Sequence, residues 1–136
     1  MDAPHDLRMI DVGDKPVSLR TARATARLRA QEETIRRIAG GHLEKGDALV
    51  AARLAGIMAA KRTSDIVPLC HPLPLDSVEV SLSVSGPASI VIEAVVRATA
   101  RTGVEMEALA AVAAAALTVY DMSKSIDRGM TIEEIR

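Results

Sequence analysis

From Thr21 to Ala30 small apolar and polar residues alternate without a break: Ala22, Ala24, Ala26, Leu28 and Ala30 on one side, Thr21, Arg23, Thr25, Arg27 and Arg29 on the other. A period of two predicts a strand with one buried face, in spite of alanine's low strand propensity. Gln31 to Ala39 then reads as a short helix stopped by Gly40-Gly41. Asp47 is a good N-cap for a second helix over 48–61, which is apolar on most sides and is therefore expected to be buried. Residues 63–74 hold three prolines and predict a rigid loop. Val78, Val80, Leu82 and Val84 alternate with Glu79, Ser81, Ser83 and Ser85; Gly86-Pro87 turns the chain, and Ile90 to Thr99 returns as the partner strand. Between Ala108 and Ala116 nearly every residue is small and apolar, which predicts one long helix. Met130 to Arg136 fits a last strand, and residues 1–16 an irregular lead-in.

Strand, two helices, two strands, helix, strand is the split βαβ plan with one extra helix. The expected class is α+β: a ferredoxin-like antiparallel sheet with helices on one face. The other face is left without a cover, which suggests association of copies.

Charge sits at both ends of the long helix, Glu105 and Glu107 before the apolar run and Asp121 and Lys124 after it. Sixteen residues separate Glu105 from Asp121, so the ends lie about 24 Å apart. No small molecule touches both ends of one straight helix. Either they serve two sites, or a two-fold axis brings one end against the other end of a second copy. Thr102-x-x-Glu105 is also a capping-box pattern, so Glu105 is open to a structural and to a ligand-binding reading.

At 136 residues and 49% apolar content the chain fits one domain, 1–136, able to bury a core without disulfide or metal. A polar N-terminus with no early apolar run predicts no signal peptide, and no segment offers a charge-free apolar span of about 20 residues. A single cysteine fits a reducing compartment, so a cytoplasmic address is expected. The net charge of −1 supplies no basic field for nucleic acid, and Tyr120 is the only aromatic residue on which a base could stack. A purine or pterin ring would be held by polar edges and by aliphatic, Met or Arg packing.

Thirteen of the seventeen basic residues are arginine, which singles out Lys15, Lys45, Lys61 and Lys124. Lysine does acid–base work that arginine cannot. Lys45-Gly46-Asp47 before a helix suits an anion, or is a solvated turn and an ordinary cap. Pro68-Leu-Cys-His-Pro-Leu-Pro74 restricts the backbone and aims Cys70 and His71, either as site residues or as a buried thiol and a hydrogen-bonded loop histidine. One Cys and three scattered His show no zinc spacing. Lys61 also suits a helix C-terminus, and Lys124 complements the macrodipole of the long helix. Asp121-x-x-Lys124 places a carboxylate and an ammonium one turn apart, a surface pair or, beside an anionic substrate, an acid–base pair.

Taken in order, Asp11-Val-Gly with Thr-Ala-Arg-Ala, Lys45-Gly-Asp, Ala52-Arg-Leu-Ala-Gly-Ile-Met-Ala-Ala-Lys-Arg-Thr63, Pro68-Leu-Cys-His-Pro-Leu73, Thr102-Gly-Val-Glu-Met-Glu-Ala-Leu109 and Leu117-Thr-Val-Tyr-Asp-Met122 resemble the cyclic pyranopterin monophosphate synthases. These are the MoaC-type enzymes of molybdenum cofactor biosynthesis. The resemblance runs from about residue 9 to the C-terminus. It implies a lyase acting on a cyclised dihydro-GTP, rearranging purine and ribose into a pyranopterin, closing a cyclic phosphate and releasing pyrophosphate. It also implies a hexamer built from dimers, with the pocket at the dimer interface.

By motif, Asp121 is implied as the catalytic carboxylate, with Lys124 beside it and Lys45 in acid–base or phosphate contact. Leu69, Cys70, His71, Met106 and Glu107 are implied to line the substrate site, with Glu105, Lys61 and Arg20 in second rank. No cofactor is required by these motifs, and a magnesium ion is compatible with the substrate phosphates. Ser123 stands where the family often has Cys, and the family's usual Gly/Lys-rich tail does not follow Arg136. A non-catalytic nucleotide-binding module on the same fold, or a purely structural oligomer, is the competing expectation. A binder needs cations, whereas the set Asp121, Lys124, Lys45 and His71 suits proton transfer.

Overall fold

A computed structural model describes residues 4–136. Four strands form one antiparallel sheet: β1 (Ser18–Arg29), β2 (Ser77–Ser85), β3 (Ser89–Ala100) and β4 (Thr131–Glu133). Their order is β2-β3-β1-β4, the ferredoxin-like arrangement. The helices are α1 (Glu32–Gly40), α2 (Ala48–Lys61), α3 (Thr63–Ile66) and α4 (Glu105–Ser123). From residue 4 up to β1 the chain has no helix or strand; the first three residues of the expected lead-in lie outside the described residues.

The alternation in β1 does what its period demands. Ala24, Ala26 and Leu28 are buried beneath the helices with Ile90, Ile92, Ala94 and Val96 of β3. The opposite face carries cross-strand ion pairs, Arg23 with Glu93 at 2.7 Å and Arg97 with Glu79 at 3.5 Å. That face is a polar, solvated surface rather than an apolar one in want of cover.

Small residues set how closely the helices approach. Ala48, Ala52, Gly56 and Ala60 are the buried stripe of α2, and Ala108, Ala111, Val112, Ala115, Ala116 and Val119 that of α4. At Gly56 an added Cβ would lie 3.0 Å from the Ala111 carbonyl oxygen. The length and composition of α4 are those of a membrane-crossing helix, yet much of its surface is spent on this core.

Four expectations are corrected. α2 is not buried on most sides: Val50, Leu54 and Met58 are 65%, 59% and 46% exposed. Residues 63–74 are not all loop, because Thr63–Ile66 closes one helical turn, with the Val67 N–H donating to the Thr63 carbonyl at 2.9 Å. The capping box at Thr102 does not form: α4 begins at Glu105 with Val104 as its N-cap and no side-chain capping bond. The last strand is also shorter than expected. Pairing stops at Glu133, Glu134 takes a positive φ of 57°, and Arg136 then exchanges two backbone hydrogen bonds with Thr25.

Capping decides the connections that matter for the site. Asp47 Oδ1 accepts from the Leu49 and Val50 N–H groups and starts α2. Gly41, with φ 72°, ends α1 in the left-handed conformation that glycine adopts without strain, and the chain turns at once into the segment bearing Lys45.

Candidate functional site

At the C-terminal end of α4, three side chains converge. Lys45 Nζ donates to Asp121 Oδ2 at 2.9 Å, and Lys124 Nζ lies 2.9 Å from Asp121 Oδ1. Lys45 comes from the turn between α1 and α2, and Lys124 from one helical turn past Asp121. The two ammonium groups, Lys124 first and Lys45 second, hold the Asp121 carboxyl down at about 2. It is therefore ionised throughout the physiological range. The three side chains are 57%, 51% and 52% exposed for Lys45, Asp121 and Lys124, so their attraction is screened and stabilises the fold little. They form a cluster of net charge +1 that offers an anion two ammonium groups and a carboxylate base within one hydrogen-bond radius.

Just before this cluster's lysine, Ser123 is fully buried, and its Oγ has no hydrogen-bond partner among the described residues. An unpaired buried hydroxyl costs about 1–3 kcal/mol. Ser123→Ala should therefore raise the stability measured by denaturant unfolding by about 1 kcal/mol, with a small further gain from helix propensity. A loss of stability would mean that the hydroxyl has a partner.

The other end of α4 is different chemistry. A cavity of about 410 Å³ is lined by Leu69, Cys70, His71, Glu105 and Met106, together with Thr102 and Gly103. Pro68 and Pro72 bracket the Leu69–His71 wall, which the sequence pattern singles out. Beneath it, Glu107 is 3% exposed, and Cys70 Sγ lies 3.8 Å from its Oε2. Burial pushes the Glu107 carboxyl up, the backbone and Cys70 hydrogen bonds pull it back, and Glu105 adds repulsion. Burial, then the Glu107 charge, pushes the Cys70 thiol up as well, so the thiol is a donor rather than a nucleophile at neutral pH. Glu107 Oε1 is buried without a partner among the described residues.

Glu107 also lines a separate recess of about 250 Å³, with Lys61, Thr63, Pro72 and Pro74. Lys61 thus stands near Glu107 but not in the larger cavity. Arg20 lines neither cavity; it pairs in register with Ala98, and its Nε is buried without a partner among the described residues. Among the described residues, no group of three or more His, Cys, Asp and Glu is placed to hold a metal ion.

Within one protomer the chain therefore assembles Lys45, Asp121 and Lys124 at one end of α4, and Leu69 to His71 with Glu105 to Glu107 at the other. It does not bring the two sets together, because Met106 and Asp121 lie about 22 Å apart along the helix. Ile10, Val12 and Lys15 of the lead-in also wall the larger cavity, a contribution that reading the segment as irregular overlooks. The scarcity of lysine is the signal that finds it: all four lysines lie in the charge cluster or line one of these two cavities.

Comparison with known proteins gives a consistent result. A family model described as the MoaC family matches residues 9–136. The chain is 55% identical over 128 residues to the cyclic pyranopterin monophosphate synthase of Herpetosiphon aurantiacus, covering 93% of this chain and 78% of that protein. It is 53% identical over 137 residues to the protein of that name from Parvibaculum lavamentivorans, covering 100% and 86%. With cyclic pyranopterin monophosphate synthase 1 of Mycobacterium tuberculosis the identity is 52% over 128 residues, covering 94% and 75%.

Proposed function

The chain belongs to the MoaC family, and on that premise we propose that it is a cyclic pyranopterin monophosphate synthase of molybdenum cofactor biosynthesis. Its substrate on this reading is the cyclised dihydro-GTP, and its products are the cyclic pyranopterin monophosphate and pyrophosphate. The observation that carries the reading is the Lys45–Asp121–Lys124 cluster, which pairs an ionised carboxylate with two ammonium groups at 2.9 Å. Ring opening and reclosure call for several proton transfers at fixed positions, and a triphosphate calls for cations. A module that only binds nucleotide needs the cations but gains nothing from a carboxylate set among them.

The substrate ring sits against Leu69, Cys70, His71, Met106 and Glu107, where aliphatic and Met side chains replace aromatic stacking and Glu107 Oε1 supplies an acceptor. The phosphates meet Lys45 and Lys124. Asp121 takes and returns protons in the space between ring and phosphates. Lys61 and Glu105 flank this volume, and Arg20 supports it from β1. Because one protomer separates the two sets by about 22 Å, a two-fold axis supplies one set from each copy. The assembly is a trimer of such dimers. The exposed apolar stripe Val50, Leu54 and Met58 is surface that assembly can cover. A magnesium ion, where it takes part, travels on the substrate phosphates. The address is the cytoplasm, in keeping with one free cysteine.

The test is direct. Purified protein supplied with the cyclised nucleotide should release one pyrophosphate per pterin formed, without added cofactor. Binding of the nucleotide with no pyrophosphate release over many hours would replace this reading by the binding-only one.

A further inference from the structure

The cluster at the end of α4 has a mechanical problem. Its three side chains are about half exposed, and exposed ion pairs do not hold their own geometry. Reaction at a fixed distance needs that geometry held by the backbone. Lys124 and Lys45 come from two separate segments, so something has to hold those segments to each other.

Asp127 makes that connection. It is 4% exposed. Its Oδ2 accepts from the Gln31 N–H at 2.9 Å and from Thr34 Oγ1 at 3.0 Å, and its Oδ1 accepts from the Gly129 N–H at 3.0 Å. Gln31 is the N-cap of α1, and its own side chain makes no capping bond. The helix is therefore capped by a carboxylate 96 positions further along the chain. On its other side, Asp127 closes the turn that begins at Lys124: the Ile126 and Asp127 N–H groups both donate to the Ser123 carbonyl, at 3.0 and 3.1 Å. One carboxylate thus joins the start of α1, whose far end delivers Lys45, to the turn that carries Lys124.

We propose that Asp127 is a positioning residue: it clamps α1 to the turn after α4 and so keeps Lys45 and Lys124 within hydrogen-bond reach of Asp121. It touches neither of those lysines and no substrate. This inference rests on the proposed function in that the positioned cluster is the catalytic one.

Asp127→Asn keeps the volume and one acceptor oxygen, and Thr34→Val removes a single donor while leaving the carboxylate in place. Two readouts are needed: steady-state turnover of the cyclised nucleotide, and the Asp121 titration followed by carboxyl NMR without substrate. Folding is checked by circular dichroism. Asp127→Asn is expected to lose about tenfold or more in kcat, with KM within about twofold. Its Asp121 midpoint should rise from about 2 toward the ordinary 3.8. Thr34→Val should move both readouts in the same direction and less far; if Asp127→Asn does not fold, Thr34→Val carries the test. Folded variants with parental kcat and an unmoved Asp121 midpoint overturn the proposal. So does a lower kcat with an unmoved midpoint, because a merely structural role would produce that. If the parent protein itself fails to convert the nucleotide, the proposed function fails, while the Asp121 midpoint still decides whether Asp127 clamps the cluster.

Discussion

Asp121→Asn protein is expected to release pyrophosphate from the cyclised nucleotide about 10²–10⁴-fold more slowly than the parent while remaining folded. The size of the effect follows from what asparagine cannot do. It fills the same volume and can accept from one of the two lysines, but it takes up no proton at any working pH. The fold loses little, because all three side chains of the cluster are about half exposed and screened by water. The thermal midpoint should accordingly stay within about 2 °C of the parent. The parent's dependence of kcat/KM on pH should show no acidic limb from Asp121 above about pH 3, since Lys124 and Lys45 hold that carboxyl at about 2. Steady-state assays on both proteins across pH, with melting curves beside them, check all three statements. Parental turnover by folded Asp121→Asn would remove Asp121 from the chemistry.

Glu107→Gln is expected to separate activity from stability, lowering turnover by about 10²-fold while raising the melting temperature. Burial is the main reason the Glu107 carboxyl sits above its ordinary range, with the backbone and Cys70 hydrogen bonds opposing and Glu105 adding. The sign follows from that direction. A carboxyl raised in the folded state favours folding while it is protonated, below the unfolded value of about 4.3, and that benefit is lost as pH rises through the raised folded value. At neutral pH the buried Glu107 is a burden that glutamine does not share. The melting advantage of Glu107→Gln should thus grow as pH rises through the raised folded value and vanish below about pH 4. On the proposed reading turnover falls because glutamine keeps a single acceptor oxygen, puts an amide donor in place of the other and carries no negative charge toward the ring. A variant that is less stable than the parent at neutral pH would show that the carboxylate is better satisfied than burial implies.

Much of this architecture is legible in the chain. The bounds of α2 are readable because Asp47 caps it and because Lys61-Arg62 follows the apolar run. The alternations in β1 and β2 survive because one sheet face is buried and the other carries chiefly Arg, Thr, Ser and Glu. The cluster at Asp121 is readable in part, since Asp121 and Lys124 share a helix face, whereas Lys45 reaches them only through tertiary contacts.

What the chain hides is tertiary. The apolar character of α2 does not say which side the protomer covers, and Val50, Leu54 and Met58 stay outside. The capping pattern at Thr102 is a local match that the chain does not use, because α4 starts two residues later than that box requires. The cap that α1 does use, Asp127, is invisible to any local window. The pairing of Cys70 with Glu107 and the approach of Ile10, Val12 and Lys15 to the same cavity are likewise set by folding.

The central claim is that one working site takes the Asp121 cluster from one copy and the Leu69–His71 and Met106–Glu107 wall from another. Mixing tests it most directly. Asp121→Asn and Glu107→Gln proteins, each nearly inactive alone, are unfolded together, refolded at equal ratio and assayed for pyrophosphate release. Random pairing in a two-fold dimer makes half of the dimers mixed, each with one intact site and one doubly altered site, so activity should recover to about a quarter of the parent's. Activity no higher than the average of the two separate variants, in a refolded mixture shown to contain mixed oligomers, would contradict it.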